Sequence, residues 1–99
     1  MFNIMKLLAK HILKHLTDRY ADSRSQVESW VSDVEKEKWQ TPHDLKGRYP
    51  KASIIGGQNV IFDINGNRYR IWVIVEYKNG AVLIKNAGTH KEYDKWDIV

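Results

Sequence analysis

Residues 59–89 read NVIFDINGNRYRIWVIVEYKNGAVLIKNAGT, and this stretch decides the fold. Three runs rich in β-branched and aromatic residues, 59–64, 68–77 and 81–89, are separated by Asn65-Gly66 and Asn79-Gly80. Asn-Gly is the preferred pair for a two-residue type I′ hairpin turn, because both of its positions need positive φ. The sequence therefore predicts a meander of three antiparallel strands.

Strand pairing across these turns predicts two different faces of the sheet. Two-residue turns place Arg70 opposite Thr89, and successive residues of each strand alternate between the faces. One face is then apolar and suited to pack against helices: Phe62, Ile64, Tyr69, Ile71, Val73, Val75, Val82 and Ile84. The other face is expected to carry three cations and one carboxylate beside apolar groups: Arg68, Arg70, Lys85 and Asp63 with Ile61, Trp72 and Ile74.

The first half of the chain is expected to be helical. Apolar residues recur at helical spacing in the first helix, without Pro or Gly: Leu7, Leu8, Ile12, Leu13 and Leu16. A short strand over residues 2–5 is expected before it.

A second helix is predicted to begin at Ser23, where Gln26 completes a capping box and Asp22 is an alternative cap. It should bury Val27, Trp30, Val31 and Val34 and end near Trp39. A third, short helix should start at Thr41-Pro42 and stop before Gly47. The fold class is therefore α+β, with two N-terminal helices packed on one face of a small, mainly antiparallel sheet.

Length and composition limit the function classes. Ninety-nine residues with a net charge of +4 and a pI near 9.4 fit one mildly basic domain over residues 1–99. The absence of cysteine excludes a disulfide framework, a thiolate zinc site and a cysteine nucleophile. Apolar runs stop well short of the ~20 residues that span a bilayer, and the start lacks the order of a signal peptide. We therefore expect a cytoplasmic protein without membrane attachment.

Chemically active side chains gather in residues 88–95, GTHKEYDK, where the last strand ends beside the predicted cationic face. Imidazole is the usual general acid or base near neutral pH, and a phenol can also transfer protons, so His90 and Tyr93 are candidates. Arginine serves better as an electrostatic clamp for phosphate. The alternative is a solvated sheet face with an Asp63–Arg70 pair, followed by a helix cap and a solvated tail.

The histidines and lysines of the first helix are expected to take no part in catalysis. His11 and His15 lie four apart on the first helix, but no third metal ligand accompanies them, so they should face solvent. Three lysines on that helix form a stripe that either contacts an RNA backbone or is simply solvated: Lys6, Lys10 and Lys14.

A series of short motifs runs in a fixed order along the second half of the chain. They are Trp30 followed by residues 39–42 (WQTP), 44–46 (DLK), 52–56 (ASIIG), 60–64 (VIFDI), 66–70 (GNRYR) and 88–94 (GTHKEYD). Together they resemble the HigB-type toxins of the RelE-like superfamily of bacterial toxin–antitoxin modules, over about residues 29–97. The resemblance implies a RelE-like fold and a metal-independent endoribonuclease without cofactors. Such an enzyme cleaves mRNA, usually on the translating ribosome, and is silenced by a helix-turn-helix antitoxin.

The resemblance gives each candidate residue an expected role. Arg68, Arg70 and Lys85 would bind and stabilise the phosphate, although Lys85 stands where many relatives carry Arg and lacks its bidentate fork. His90 and Tyr93 would share proton transfer, with Asp94 orienting one of them. Five further cations would hold RNA: Lys46, Arg48, Lys51, Lys91 and Lys95.

Two other functions remain open at this point. A member of the same superfold can act purely by binding, for example as a gyrase poison, because a shared fold does not fix function. A small nucleic-acid-binding module without a toxin role is the third hypothesis. For a toxin, we expect the antitoxin either to cover the cationic sheet face or to block ribosome entry from a distance.

Overall fold

The computed structural model of the protein describes residues 4–98, which form helices and one five-stranded sheet. In chain order the elements are β1 (Lys6–Leu8), a 3₁₀ turn (Lys10–Leu13), α1 (Lys14–Thr17), a second 3₁₀ turn (Ala21–Ser23), α2 (Arg24–Lys36), α3 (Pro42–Arg48), β2 (Ser53–Ile55), β3 (Asn59–Ile64), β4 (Tyr69–Glu76), β5 (Ala81–Thr89) and α4 (His90–Tyr93). The strand order is β1-β5-β4-β3-β2, antiparallel except that β1 runs parallel to β5. The predicted α+β class with a mainly antiparallel sheet is confirmed.

The first hairpin has a longer loop than predicted. Ile64 pairs with Tyr69, so residues 65–68 form the loop in place of a two-residue turn. Asn65 and Gly66 do adopt positive φ, 56° and 71°, as expected for this pair. Because of the longer loop, Arg68 lies outside the strand, and its predicted place on the cationic sheet face is wrong.

The second hairpin also has a four-residue loop, since Glu76 pairs with Ala81. The predicted register is therefore shifted by two positions near the loop. A shift of two keeps every side chain on its face, because the side-chain period of a strand is two. The apolar face is accordingly as predicted, and its residues are buried in the core.

A β-bulge interrupts the pairing of β4 with β5. Val73 lies opposite Ile84 and Trp72 opposite Asn86, so Lys85 is the extra residue on β5. Beyond the bulge Arg70 pairs with Gly88, one position from the predicted partner Thr89.

The start of the chain differs most from the prediction. The expected strand over residues 2–5 lies partly outside the described residues, and the observed strand begins at Lys6. Leu7 is buried and Leu8 is 41% exposed, which is the alternation of a strand and not the stripe of a helix. A left-handed Ala9 (φ 65°) ends β1, so the helical segment begins three residues later than predicted.

The expected capping box of α2 is absent. The Ser23 hydroxyl donates to the Tyr20 carbonyl (2.7 Å) and does not cap the helix. Gln26 instead accepts from the Asn65 backbone amide (2.8 Å), so this side chain ties α2 to the first hairpin loop. The helix ends at Lys36, three residues before Trp39.

The third helix begins as predicted, with Pro42 in its first turn. The Thr41 hydroxyl accepts from the Asp44 amide (3.2 Å). The helix runs through Gly47 to Arg48, further than expected. The chain then enters β2, a short edge strand that the sequence did not predict.

The core lies between the helices and one face of the sheet. Val27, Trp30 and Val34 of α2 are buried there, and Trp30 meets Phe62 edge to face with ring centroids 5.3 Å apart. Among residues 4–98 no helix has the length and apolar character to cross a membrane. The opposite face of the sheet, here called the open face, carries Asn59, Ile61, Asp63, Arg70, Trp72, Ile74, Leu83, Lys85, Asn86 and Gly88.

Candidate active site

The guanidinium of Arg70 is held in place on the open face by neighbouring residues. Its side chain is only 11% exposed, and its Nε lies 3.2 Å from Asp63 Oδ1 on the neighbouring strand. Nη1 donates to the Asn67 carbonyl in the hairpin loop (2.8 Å). The Asp63–Arg70 pair foreseen as an alternative therefore exists, and it holds the plane of the guanidinium in one orientation.

Helix α4 folds back over the open face directly after β5. Its start is a capping box, in which the Thr89 hydroxyl accepts from the Glu92 amide (3.1 Å) and Glu92 Oε1 accepts from the Thr89 amide (2.9 Å). The His90 amide donates to the Arg68 carbonyl (3.0 Å), which links α4 to the end of the first hairpin loop. Arg19 pairs with Glu92 at 3.4 Å, and the backbone amide of Thr89 is the largest cause that lowers the pKa of Glu92.

Because α4 lies over the open face, the predicted site residues His90, Tyr93 and Asp94 come close to Arg70. The Tyr93 ring centroid lies 5.3 Å from Arg70 Cζ, and the His90 ring lies 6.2 Å from the Tyr93 ring. His90 Nδ1 is 3.6 Å from Asp94 Oδ1, and both side chains are about half exposed or more. The structure thus places an imidazole, a phenol and a carboxylate beside one fixed cation, where a phosphate could meet proton-transfer groups.

The aromatic neighbours of this cluster, Trp72 and Trp96, were not among the predicted catalytic residues, although the sequence leaves them, with Tyr93, as candidates for base stacking. Trp72 Nε1 donates to Asn59 Oδ1 (2.9 Å), and the Trp96 ring stacks on Trp72 with centroids 6.2 Å apart. Lys85, displaced by the bulge, places its Nζ 6.0 Å from the Trp72 centroid. Glu92 was also missed, although Thr89-x-x-Glu92 is itself a capping-box signal.

Arg68 lies apart from the cluster. Its side chain is 69% exposed, and Nη1 donates to Asp22 beside the start of α2 (2.9 Å). The Tyr69 hydroxyl donates to the same carboxylate, and this hydrogen bond is the largest cause that lowers the pKa of Asp22. The side chain of Arg68 therefore joins the hairpin loop to the helices, and only its carbonyl reaches the site.

Two of the expected RNA-binding cations have structural partners. Lys46 Nζ donates to the carbonyls of Pro50 (2.7 Å) and Ala52 (2.8 Å), so it closes the turn after α3. Arg48 makes an ion pair with Asp33 of α2 and stacks on Tyr49 at 4.8 Å. The other three are exposed, one before β2 and two at α4 and its C-terminal end: Lys51, Lys91 and Lys95.

The predicted basic stripe is not a single helical surface. Lys6 belongs to β1, whereas Lys10 pairs with Glu35 of α2 at 3.0 Å. His11 and His15 are exposed, as expected. Within residues 4–98 no group of three or more His, Asp or Glu side chains is arranged to hold a metal ion.

Comparison with known proteins agrees with this fold. Residues 23–96 match the HigB toxin family, described as a RelE-like toxic component of a toxin–antitoxin system. The chain belongs to this family. Among curated relatives, the mRNA interferase toxin HigB of Escherichia coli K12 is 24% identical over 97 residues, which cover 96% of this chain and 93% of the relative. The mRNA interferase HigB of E. coli O6:H1 (strain CFT073) is 20% identical over 93 residues, covering 92% and 90%.

Proposed function

We propose that this toxin is an endoribonuclease that cleaves mRNA on the open face of its sheet. The observation that carries the proposal is the position of Tyr93 over the Arg70 guanidinium, 5.3 Å from the ring centroid to Cζ, with His90 on the same short helix. A fixed cation and two groups able to transfer protons are thereby available to one phosphate. The names of the relatives, which are called mRNA interferases, support the same activity.

The proposed reaction uses the 2′-hydroxyl of the substrate as nucleophile. Its oxygen attacks the adjacent phosphorus, the bond from phosphorus to the 5′-oxygen breaks, and a 2′,3′-cyclic phosphate and a 5′-hydroxyl result. One proton must leave the 2′-hydroxyl and one must reach the 5′-oxygen. His90 and Tyr93 share these transfers, and Asp94, 3.6 Å from His90 Nδ1, orients the imidazole.

The cations stabilise the charge that develops on the phosphate. Arg70 presents a guanidinium whose plane is held by Asp63 and Asn67, so it needs little reorganisation as the transition state forms. Lys85 contributes a point charge from the bulge, without the bidentate fork of an arginine. In this proposal Arg68 supports the site only through its carbonyl, and the exposed Lys51, Lys91 and Lys95 contact flanking RNA.

The partners follow from the family. A toxin–antitoxin system supplies an antitoxin to each toxin, and we propose one with a helix-turn-helix domain. We also propose that the ribosome positions the mRNA, because a chain with a net charge of only +4 should bind free RNA weakly. Residues 1–99 would act as one toxin domain.

Single-turnover cleavage of mRNA on translating ribosomes tests the proposed chemistry. Tyr93→Phe and His90→Gln should each lower the rate by roughly 10²-fold or more while the variants still fold, since each removes one proton-transfer group. His15→Gln is the matched control, because this exposed histidine on α1 should leave the rate unchanged. Full cleavage rates in both site variants would refute the nuclease site. Growth arrest without RNA cleavage, together with inhibited gyrase, would support the binding alternative.

A further inference from the structure

We propose that Trp72 and Trp96 form a stacking platform for one unpaired base of the RNA substrate. The platform adds a base-binding subsite to the phosphate site at Arg70 and Lys85, and it rests on the proposed ribonuclease function. Single-stranded RNA exposes the faces of its bases, and aromatic side chains beside cations are the usual way to hold such a strand.

Trp72 is held rigidly on the open face. Its indole N–H donates to the side chain of Asn59, which is only 7% exposed. Ile61 lies directly opposite Trp72 on β3 and is 2% exposed, so this part of the open face is covered by packed side chains. As a whole residue, Trp72 is only partly buried.

Trp96 completes the platform from the segment after α4. Its ring stacks on Trp72 with an interplanar angle of 30°, and Tyr93 meets it edge to face with centroids 5.7 Å apart. Gly88 leaves room for this ring, because a Cβ at that position would lie 3.1 Å from Trp96 Cζ2. Three rings are therefore packed before any base arrives, so stacking of a base costs little ordering of the protein.

The cations around the rings fit a nucleotide better than an apolar ligand. Lys85 Nζ lies 6.0 Å from the Trp72 centroid, and Arg70 Cζ lies 5.3 Å from the Tyr93 centroid. If an RNA base stacks on the end of the tryptophan pair, the phosphates of its nucleotide would thus lie near these positive charges. The platform accepts any base, because every base has a π-face.

Binding of an uncleavable RNA tests the platform separately from the chemistry. The probe is a short single strand with 2′-O-methyl groups throughout, and a matched series carries one abasic position at a time. Trp96→Ala should weaken binding of the complete strand by about tenfold or more. One strand of the abasic series should bind to the wild type and to Trp96→Ala with equal affinity. In that strand the base that would stack on the tryptophan is already missing.

Two variants control for folding and for general loss of apolar surface. Trp96→Phe keeps a ring and should retain most of the affinity, and Leu83→Ala removes an exposed aliphatic side chain from the same face without effect. A Trp96→Ala variant that folds and binds the complete strand as the wild type does would overturn the platform. The platform would also be overturned if Trp96→Ala lowered the affinity for every abasic strand by the same factor. The rings would then only cover the sheet.

The same two assays separate this inference from the proposed function. A wild-type protein that shows the abasic pattern but does not cleave mRNA on ribosomes contradicts the nuclease and leaves the platform standing. A protein that cleaves mRNA but shows no coupling between Trp96 and any base retains the nuclease and loses the platform.

Discussion

Arg70 lies directly opposite Gly88 in the pairing of β4 with β5, and the absent side chain at Gly88 is what allows α4 to close over that arginine. A Cβ at Gly88 would approach Glu92 Oε1 to 3.0 Å and Trp96 Cζ2 to 3.1 Å. The position of Tyr93 over Arg70 therefore depends on a glycine on the neighbouring strand as much as on the charged residue.

The first prediction concerns this glycine. Gly88→Ala should push Glu92 and Trp96 away from the sheet and shift α4, lowering the rate of mRNA cleavage about tenfold or more. The variant should also lose about 1–3 kcal/mol of unfolding free energy through overpacking. Gly47→Ala in α3 is the control, because nothing lies within 4 Å of an added Cβ there. It should gain up to about 1 kcal/mol by helix propensity and keep the full rate. Urea unfolding and ribosomal cleavage of both variants provide the measurements.

The second prediction separates the two neighbouring arginines. Arg70→Ala should lower the cleavage rate by roughly a hundredfold, since it removes a preorganised cation from the site. Arg68→Ala should lower it far less, because the Arg68 side chain pairs with Asp22 at an exposed position and only its carbonyl reaches His90. Equal losses in two folded variants would show that the Arg68 side chain moves into the site when substrate binds.

The third prediction concerns the stability of α4 toward acid. The pKa of Glu92 is depressed in the folded protein below its ordinary value of 4.5 by the Thr89 amide, so the unfolded chain takes up the proton first as the pH falls. The stability from this carboxylate is thus complete well above pH 4.5 and is lost below it, as the pH falls through the lower folded pKa. Glu92→Gln should flatten the fall of the melting temperature in this window, though not abolish it, because the pKa of Asp22 is lowered as well. Melting curves from pH 7 to pH 3 provide the comparison, and an unchanged slope would contradict the assignment.

The fourth prediction distinguishes a structural lysine from an RNA-binding one. Lys46→Met should destabilise the protein by about 0.5–1.5 kcal/mol, since it removes the ammonium that donates to the carbonyls of Pro50 and Ala52. Lys51→Met should keep the melting temperature and reduce the slope of log affinity against log salt by about 0.7, the value for one phosphate contact on a single strand. RNA titrations at several salt concentrations would measure the slope. If Lys51→Met lowered the stability and Lys46→Met lowered the salt slope, the structural and the RNA-binding role would have to be exchanged.

The sequence was informative where local chemistry determines the structure. Strands β3 and β5 have the predicted ends, and Asn65-Gly66 takes the expected positive φ. The alternation of β4 correctly separated the buried Ile71 from the open-face Arg70. The same alternation places Arg70 on the face where His90 and Tyr93 come close to it. It does not give the exact register of β4 with β5.

The remaining features depend on contacts between distant segments. Strands β1 and β2 have three residues each, too few for periodicity to reveal, and each forms only by pairing with a longer strand. Ser23 and Gln26 matched a capping box, yet Gln26 bonds to the Asn65 amide, a partner that no local pattern specifies. Arg68 was misplaced because two additional loop residues removed it from the strand.

The parallel edge strand has a consequence for how the molecule is made. Lys6 pairs with Ala81, so β1 lacks its partner strand β5 until the second hairpin has been translated. Contacts of such long sequence separation form late and slow the folding of a domain. Met5 meanwhile donates to the Glu37 carbonyl (3.0 Å), which gives the nascent segment an earlier anchor on the end of α2. The helical layer can therefore assemble first on a growing chain, and the sheet that carries the proposed active site is completed only afterwards.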